Sequence, residues 1–186
     1  MLNDQTINAG KKFVTNVGLI TSNGPIGQNI MSAEWTHRIS SDPFLIAICL
    51  NAGNATNENI LNSNEFGVNL ASESQGFICS ISGNYTGKEI DKIKALEKLG
   101  AEFYKAENID APMLKNATAT FECKVIEHKK YGSHMMYIGC VVKATYSDEN
   151  PIVYHSKKFW KISENIPKPN PKKLEEMEDI IEKHRK

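Results

Sequence analysis

The residues best suited to chemistry lie where an apolar run, "FLIAICL" (44–50), gives way to "NAGNATNEN" (51–59). A strand ends there and a helix begins. The first amides of a helix have no partner within it, and the helix dipole makes that end positive. With Thr and Asn side chains alongside, such a terminus holds an anion without needing a cation. Thr56 and Asn57 would supply donors to a phosphate. The plainer reading is that Asn54 or Thr56 simply caps its own helix.

A second stretch, "NIMSAEWT" (29–36), reads as a strand with a small Ser32-Ala33 step and almost no charge. Small residues in a strand mark a close approach by a ligand or another backbone. The alternative is an ordinary core strand with Trp35 as filler. Taken together, the two stretches offer a slot for a flat ring against backbone and an anion site at the end of the next strand. A ring at one end and a phosphate at the other describe a mononucleotide or FMN.

Other signatures are missing. The chain has no GxGxxG, Walker A loop, HExxH or GxSxG. Cys49, Cys79, Cys123 and Cys140 are far apart with no CxxC pair, which argues against zinc, iron–sulfur or dithiol chemistry. Three of them fall in apolar strand-like runs and read as buried reduced thiols. Lys and Arg number 22 and Asp and Glu 22, so no basic surface points to nucleic acid or anionic lipid. The longest apolar run is too short to span a bilayer. "MLNDQTINAG" (1–10) lacks a signal-peptide core, so the expected location is cytoplasmic. His37, His128 and His134 have no metal-like spacing.

The elements that must position these residues are mostly strands. "VGLITSN" (17–23), the turn "GPIG" (24–27) and "QNIMSAEW" read as strand, turn, strand. "FLIAICL" reads as a strand buried on both faces. Residues 54–64 form a short helix, and "EFGVNLAS" (65–72) a strand. Thr86-Gly87-Lys88-Glu89 matches a capping box, followed by Ile90, Ile93, Leu96 and Leu99, with Gly100 to end the helix. "ATFECKVIEH" (119–128) and "HMMYIGCVVKATY" (134–146) make a hairpin through "YGSH", and residues 151–162 add shorter strands. Asn170-Pro171 opens a last helix with one apolar stripe of Leu174, Met177, Ile180 and Ile181. Strands without regular βαβ alternation predict a mainly β fold with helical insertions, an antiparallel barrel.

Here the residues carry a resemblance. Residues 17–72 are similar to the flavin reductase-like family, the FMN-binding split barrels that include flavoredoxin. The match runs through Asn29, Met31, Ser32, Trp35, Ser40, Pro43, Thr56 and "EFGVNL". It continues through "SGNYTGKEIDK" (82–92), "APML" (111–114), the closing hairpin and "PIVYHSKKFW". No single motif is highly specific; the ordered set is more so.

The resemblance implies an antiparallel split β-barrel over residues 1–166, a C-terminal helical extension over 167–186, and a homodimer with FMN near the subunit interface. Carried over, Asn29, Ile30, Met31, Ser32 and Ala33 would contact the isoalloxazine. Cys49, Leu50 and Asn51 would line the ribityl chain, and Thr56 with Asn57 would hold the phosphate. Lys92, in a family-like Asp-Lys pair, would add positive charge, or else is an exposed helix lysine. Relatives often carry Arg in the phosphate loop; "NAGNAT" leans instead on hydroxyl, amide and helix dipole. His155 would place a nicotinamide or pass a proton, unless it is an exposed strand histidine. The implied activity is an NAD(P)H:flavin oxidoreductase, with NAD(P)H as co-substrate and free flavin, a metal complex or a redox partner protein as acceptor. The rival is a flavoredoxin-like electron carrier with little NAD(P)H activity of its own; a third reading is a flavin-free interaction domain on the same fold.

Overall fold

A computed structural model describes residues 3–185. In chain order the elements are α1 (Asp4–Gly10), β1 (Thr15–Asn16), β2 (Gly18–Ser22), β3 (Asn29–Ala33), β4 (Thr36–Ser41), β5 (Phe44–Asn51), α2 (Ala55–Ser63) and β6 (Glu65–Leu70). A short 3-10 turn (Glu73–Gln75) leads into α3 (Gly76–Asn84), then α4 (Lys92–Lys98), β7 (Phe103–Lys105), β8 (Pro112–Leu114), β9 (Ala119–Tyr131) and β10 (His134–Tyr146). The chain finishes with β11 (Ile152–His155), β12 (Lys158–Lys161) and α5 (Pro171–Lys183).

Seven strands form one antiparallel sheet in the order β3-β2-β6-β9-β10-β5-β4. Its outermost strands, β3 and β4, are joined by only Glu34 and Trp35. So short a link curls the sheet into a barrel, and the Cys49 amide donates to the Trp35 carbonyl (2.9 Å) at the corner. The interior holds Ile20, Ile48, Leu50, Phe66, Val68 and Tyr137. A second core, with Leu19, Ile30, Ile78, Ile93, Leu96 and Leu114, joins the outside of β2 and β3 to α3 and α4.

The split barrel, the 54–64 helix, the β9–β10 hairpin and the Asn170-capped last helix all stand where the sequence reading puts them. Other details differ. β5 buries only the face of Ile46, Ile48 and Leu50, while Leu45, Ala47 and Cys49 are half-buried on the outside. A continuous apolar run cannot reveal that the second face lacks a cover within one chain. The helix expected from Thr86 begins at Lys92 instead, with Asp91 as its cap accepting from the Lys94 amide. Thr86 heads a turn whose carbonyl accepts from the Glu89 and Ile90 amides, and Ile90 is left exposed. α3 has no counterpart in the sequence reading, because "GFICSISGN" has too few charges to show a helical face. Cys49 and Cys140 are only half-buried, whereas Cys79 and Cys123 are buried; all four are free thiols. α5 is exposed along its whole length, its stripe included.

The barrel interior leaves no room at its β10 wall. A Cβ on Gly139 would lie 2.6 Å from Phe66 Cζ and 2.8 Å from Cys123 Cβ. Both neighbours are fully buried and cannot retreat. Gly139→Ala should therefore cost about 1–3 kcal/mol of stability through overpacking. Urea denaturation reads this directly, and a variant as stable as the parent would contradict such tight packing.

Candidate functional site

Two adjoining hollows lie over β3, between it and α3. The smaller, of about 230 Å3, is bounded by Asn29, Met31 and Ser32 of β3, by Asn54 to Thr56 at the start of α2, by residues 82–87 and by Lys92. The larger, of about 450 Å3, is lined by Ser32, Glu34, Cys79, Tyr154, Lys157 and Phe159 among others. Ser32, Gly83 and Asn84 line both, so the two are continuous. Small-molecule pockets usually start near about 300 Å3, so a ligand with more than one small group in the first hollow must extend into the second.

The polar groups of the smaller hollow converge. Thr56 is fully buried and its Oγ1 accepts from Asn29 Nδ2 (2.7 Å), so it does not cap its own helix. Asn54 stands at the cap position, yet its side chain makes no capping bond; its Nδ2 points to Met31 Sδ (3.7 Å). The first-turn amides of α2 are thus left without a side-chain cap, the state that favours an anion. Asn57 is otherwise engaged. Its Nδ2 donates to the Ala52 carbonyl (3.0 Å) and its Oδ1 accepts from the Tyr137 hydroxyl (2.5 Å), which bolts the helix start to the barrel core.

Lys92 is buried to 2 % exposure. Its Nζ donates to the carbonyls of Ser82 (3.3 Å) and Tyr85 (3.1 Å), and no carboxylate pairs with it among the described residues. Burial pushes its pKa down from the ordinary 10.5 to about 8. Two buried polar atoms in the same hollow, Asn29 Oδ1 and Ser82 Oγ, have no partner among the described residues. An unpaired buried cation, orphaned polar atoms and an uncapped helix start are all answered by one anionic group with several oxygens. The Asn29 amide can turn over on the same heavy atoms, taking the Thr56 hydroxyl proton on Oδ1 and offering Nδ2 to that anion.

Of the residues singled out from sequence, Asn29, Met31, Ser32, Thr56 and Lys92 come together here. Ile30 and Ala33 turn into the two cores. Leu50 is in the barrel interior, Cys49 lies on the outer face of β5, and Asn51 is exposed, its Oδ1 accepting from the Gly53 amide (3.0 Å). None of these three lines either hollow. Both ring nitrogens of His155 are engaged outside the hollows, Nδ1 with the Phe13 carbonyl (3.2 Å) and Nε2 with Ser156 Oγ (3.1 Å). Its neighbour Tyr154 faces the larger hollow instead. The Ser82 side chain and the 83–87 backbone were not singled out as individual residues. Ser-Gly-Asn at a helix end looks like any turn, and only its folding back over Asn29 gives it a role.

The Ser32-Ala33 step also has a packing reason. Ser32 Oγ donates to the Cys79 carbonyl (2.7 Å), and a Cβ on Gly83 would sit 3.5 Å from Ser32 Cβ. Small residues here let α3 lie close over β3. Burial pushes the Cys79 thiol up to about 12, so it is inert at the edge of the larger hollow.

A sequence profile described as the flavin reductase like domain matches residues 10–163. The chain belongs to the flavin reductase-like family. Among its relatives are an uncharacterised protein of Pyrococcus abyssi, 29% identical over 65% of this chain and 67% of that protein, and the FMN reductase (NADH) RutF 1 of Methylorubrum extorquens, 22% identical over 81% and 72%. Among solved structures, the NADH:FAD oxidoreductase SgcE6 of Streptomyces globisporus superposes with a TM-score of 0.78 at 18% identity, covering 88% of this chain and 98% of that one. The flavoredoxin of Methanosarcina acetivorans gives 0.77 at 19%, covering 92% and 95%. At such identities the structural likenesses establish the family fold.

Lys92 also makes a prediction that needs no ligand. Between pH 8 and 10.5 the unfolded chain keeps a lysine proton that the folded protein has shed, so this group makes stability rise with pH across that window. Below pH 8 the buried charge weighs against folding. Lys92→Met should therefore be more stable than the parent at pH 7, by up to about 3 kcal/mol, with the gap closing toward pH 10.5. Denaturant titrations of flavin-free protein across that range would show it; a gap that does not change with pH would mean the ammonium is well solvated.

Proposed function

We propose that the protein binds FMN and works as an NAD(P)H:flavin oxidoreductase. The observation that carries this reading is the unpaired buried Lys92 in one hollow with the uncapped start of α2 and with Asn29 Oδ1 and Ser82 Oγ, both unpartnered among the described residues. That set fits a phosphate. Continuity of the smaller hollow with the larger one, past Ser32, leaves room for a ring system over β3. The relatives named FMN reductase (NADH) and NADH:FAD oxidoreductase support the same chemistry.

Bound FMN would supply the acceptor for the hydride of NAD(P)H and pass both electrons on to free flavin, a metal complex or a partner protein. The chain supplies binding, orientation and exclusion of water. Lys92 and the first amides of α2 would hold the phosphate, with the dipole of α2 favouring its charge. Thr56 fixes Asn29 at the phosphate end. Tyr154 and Phe159, whose ring centroids are 5.6 Å apart, wall the larger hollow. Neither hollow is lined by a histidine among the described residues, and His155, with both nitrogens engaged, is assigned no proton-transfer role.

The second reading, an FMN-binding electron carrier, is favoured by the likeness to flavoredoxin, which is as close as that to the reductase. One spectroscopic experiment separates them. The reductase predicts a yellow FMN complex whose bound flavin is bleached by NADH or NADPH within seconds in the absence of oxygen. Slow bleaching by both nucleotides, with fast electron exchange to a protein partner, would replace the enzyme by the carrier. A protein that stays colourless with added FMN would overturn both.

The same reading includes a homodimer. The outward side chains of β5 and β10 are paired across the strands as Leu45 with Cys140, Ala47 with Ile138 and Cys49 with Met136, an apolar row left half-covered in a single chain. Val142 continues it at 46 % exposure. Facing rows from two copies would bury this surface around a two-fold axis. Light scattering at micromolar concentration should give twice the chain mass, and Ile138→Asp should shift it toward a single chain. A parent already monomeric would refute the assignment.

A further inference from the structure

We propose that residues 85–88 form a wall that selects flavins ending in a monophosphate, with Gly87 as its specificity-determining residue. This rests on the phosphate site proposed above and adds which flavin that site accepts. The segment separates the smaller hollow from an open groove of about 570 Å3 between residues 26–28 and α4. Among the described residues, Gly87 alone lines both spaces. The wall is therefore one residue thick at the phosphate end.

Three contacts hold it in place. Lys92 Nζ donates to the Tyr85 carbonyl (3.1 Å), fastening its first residue from inside. Lys88 Nζ pairs with Glu58 of α2 (3.3 Å), fastening its last from outside. Between them, Gly87 presses against the Asn29 amide so closely that a Cβ would lie 2.3 Å from Oδ1 and 2.7 Å from Cγ. No other residue type permits that contact without moving the segment or the amide.

Flavins differ chemically beyond this first phosphate. FMN ends there, and Lys92 with the helix start would hold that terminal group. In FAD the chain continues from that phosphate through a second phosphate and ribose to adenine. To reach the outer groove on this side, that arm would have to pass where residues 85–88 stand. Riboflavin is smaller than FMN and brings no anion to Lys92. The site should thus prefer FMN to both, for two separate reasons.

Fluorescence titrations of the flavin-free protein with FMN, FAD and riboflavin test this. The parent should bind FMN at least tenfold tighter than either of the others. Gly87→Ala, which drives the wall outward, should reduce the FMN-to-FAD affinity ratio at least fivefold. Lys88→Met leaves the phosphate contacts intact and removes only the outer fastening. The effect should be smaller, a two- to fivefold reduction, as suits a half-exposed ion pair. If the parent prefers FMN to riboflavin but binds FAD equally well, the phosphate site stands and the wall is refuted. If FMN binds no tighter than riboflavin, the phosphate site itself is refuted. A folded Gly87→Ala with the parent's FMN-to-FAD ratio removes Gly87 as the determinant. Should that variant fail to fold, an unchanged ratio in Lys88→Met overturns the wall.

Discussion

The two residues Glu34 and Trp35 constrain everything else. They join β3 and β4, the opposite ends of a seven-stranded sheet. Laid flat, such a sheet would be roughly 29 Å wide at the usual strand spacing, whereas two residues reach only about 7 Å. The sheet must therefore curl until its edges meet. Curling defines an inside, filled by Ile48, Leu50, Phe66 and Tyr137, and it brings β3 and β4 together at a seam. It also fixes β3 as the strand at the seam, next to the start of α2.

That position explains why β3 is built from small and polar residues. A seam strand cannot be covered by another strand on its outer side, so α3 covers it, and close cover requires Ser32 and Gly83 at the contact. Cover by a helix leaves gaps at the helix ends, where a neighbouring strand would have left none. The two hollows follow the C-terminal half of α3, the larger one beside Cys79, Ser80 and Gly83, the smaller one against its last turn and the first turn of α2. Packing and site are thus consequences of the same choice of residues, and neither explanation of Ser32 displaces the other.

Much of this was legible in the sequence because it is local. Alternation along 119–128, the "YGSH" turn, and the Asn170-Pro171 start each depend on a few neighbouring residues. The strand–helix junction at 51–56 is local too, but the plainer reading there, a helix capped by Asn54 or Thr56, gives way to an uncapped start because Asn54 and Thr56 are engaged by Met31 and Asn29 of β3. What could not be read is set by distant contacts. The Thr86 box lost to Asp91 as the cap because residues 85–88 are drawn down over Asn29, 58 positions away from Gly87 in the chain. Asn57 looked like a free donor, but the hydroxyl of Tyr137, 80 residues on, claims it. Lys92 could be read as an exposed helix lysine or as a charge for the cofactor; only the fold shows it buried.

Lys92 carries the electrostatic argument to its end. The chain is balanced, with 22 basic and 22 acidic side chains, so a lysine in need of a carboxylate has many to choose from. The ion pairs among the described residues each have at least one well-exposed member, and Lys92 belongs to none of them. A buried ammonium met only by two carbonyls is a poor solution for stability, since desolvation costs more than neutral acceptors return. A carboxylate fixed at this point would quench the cation and close the site to anions. Leaving the charge unpaired, against a helix start that is also unpaired, concentrates positive potential where water is scarce and the effective dielectric constant is low. Such an arrangement is destabilising when empty and would be favourable with an oxyanion completing it, so stability given up in the free protein would return as affinity for such an anion.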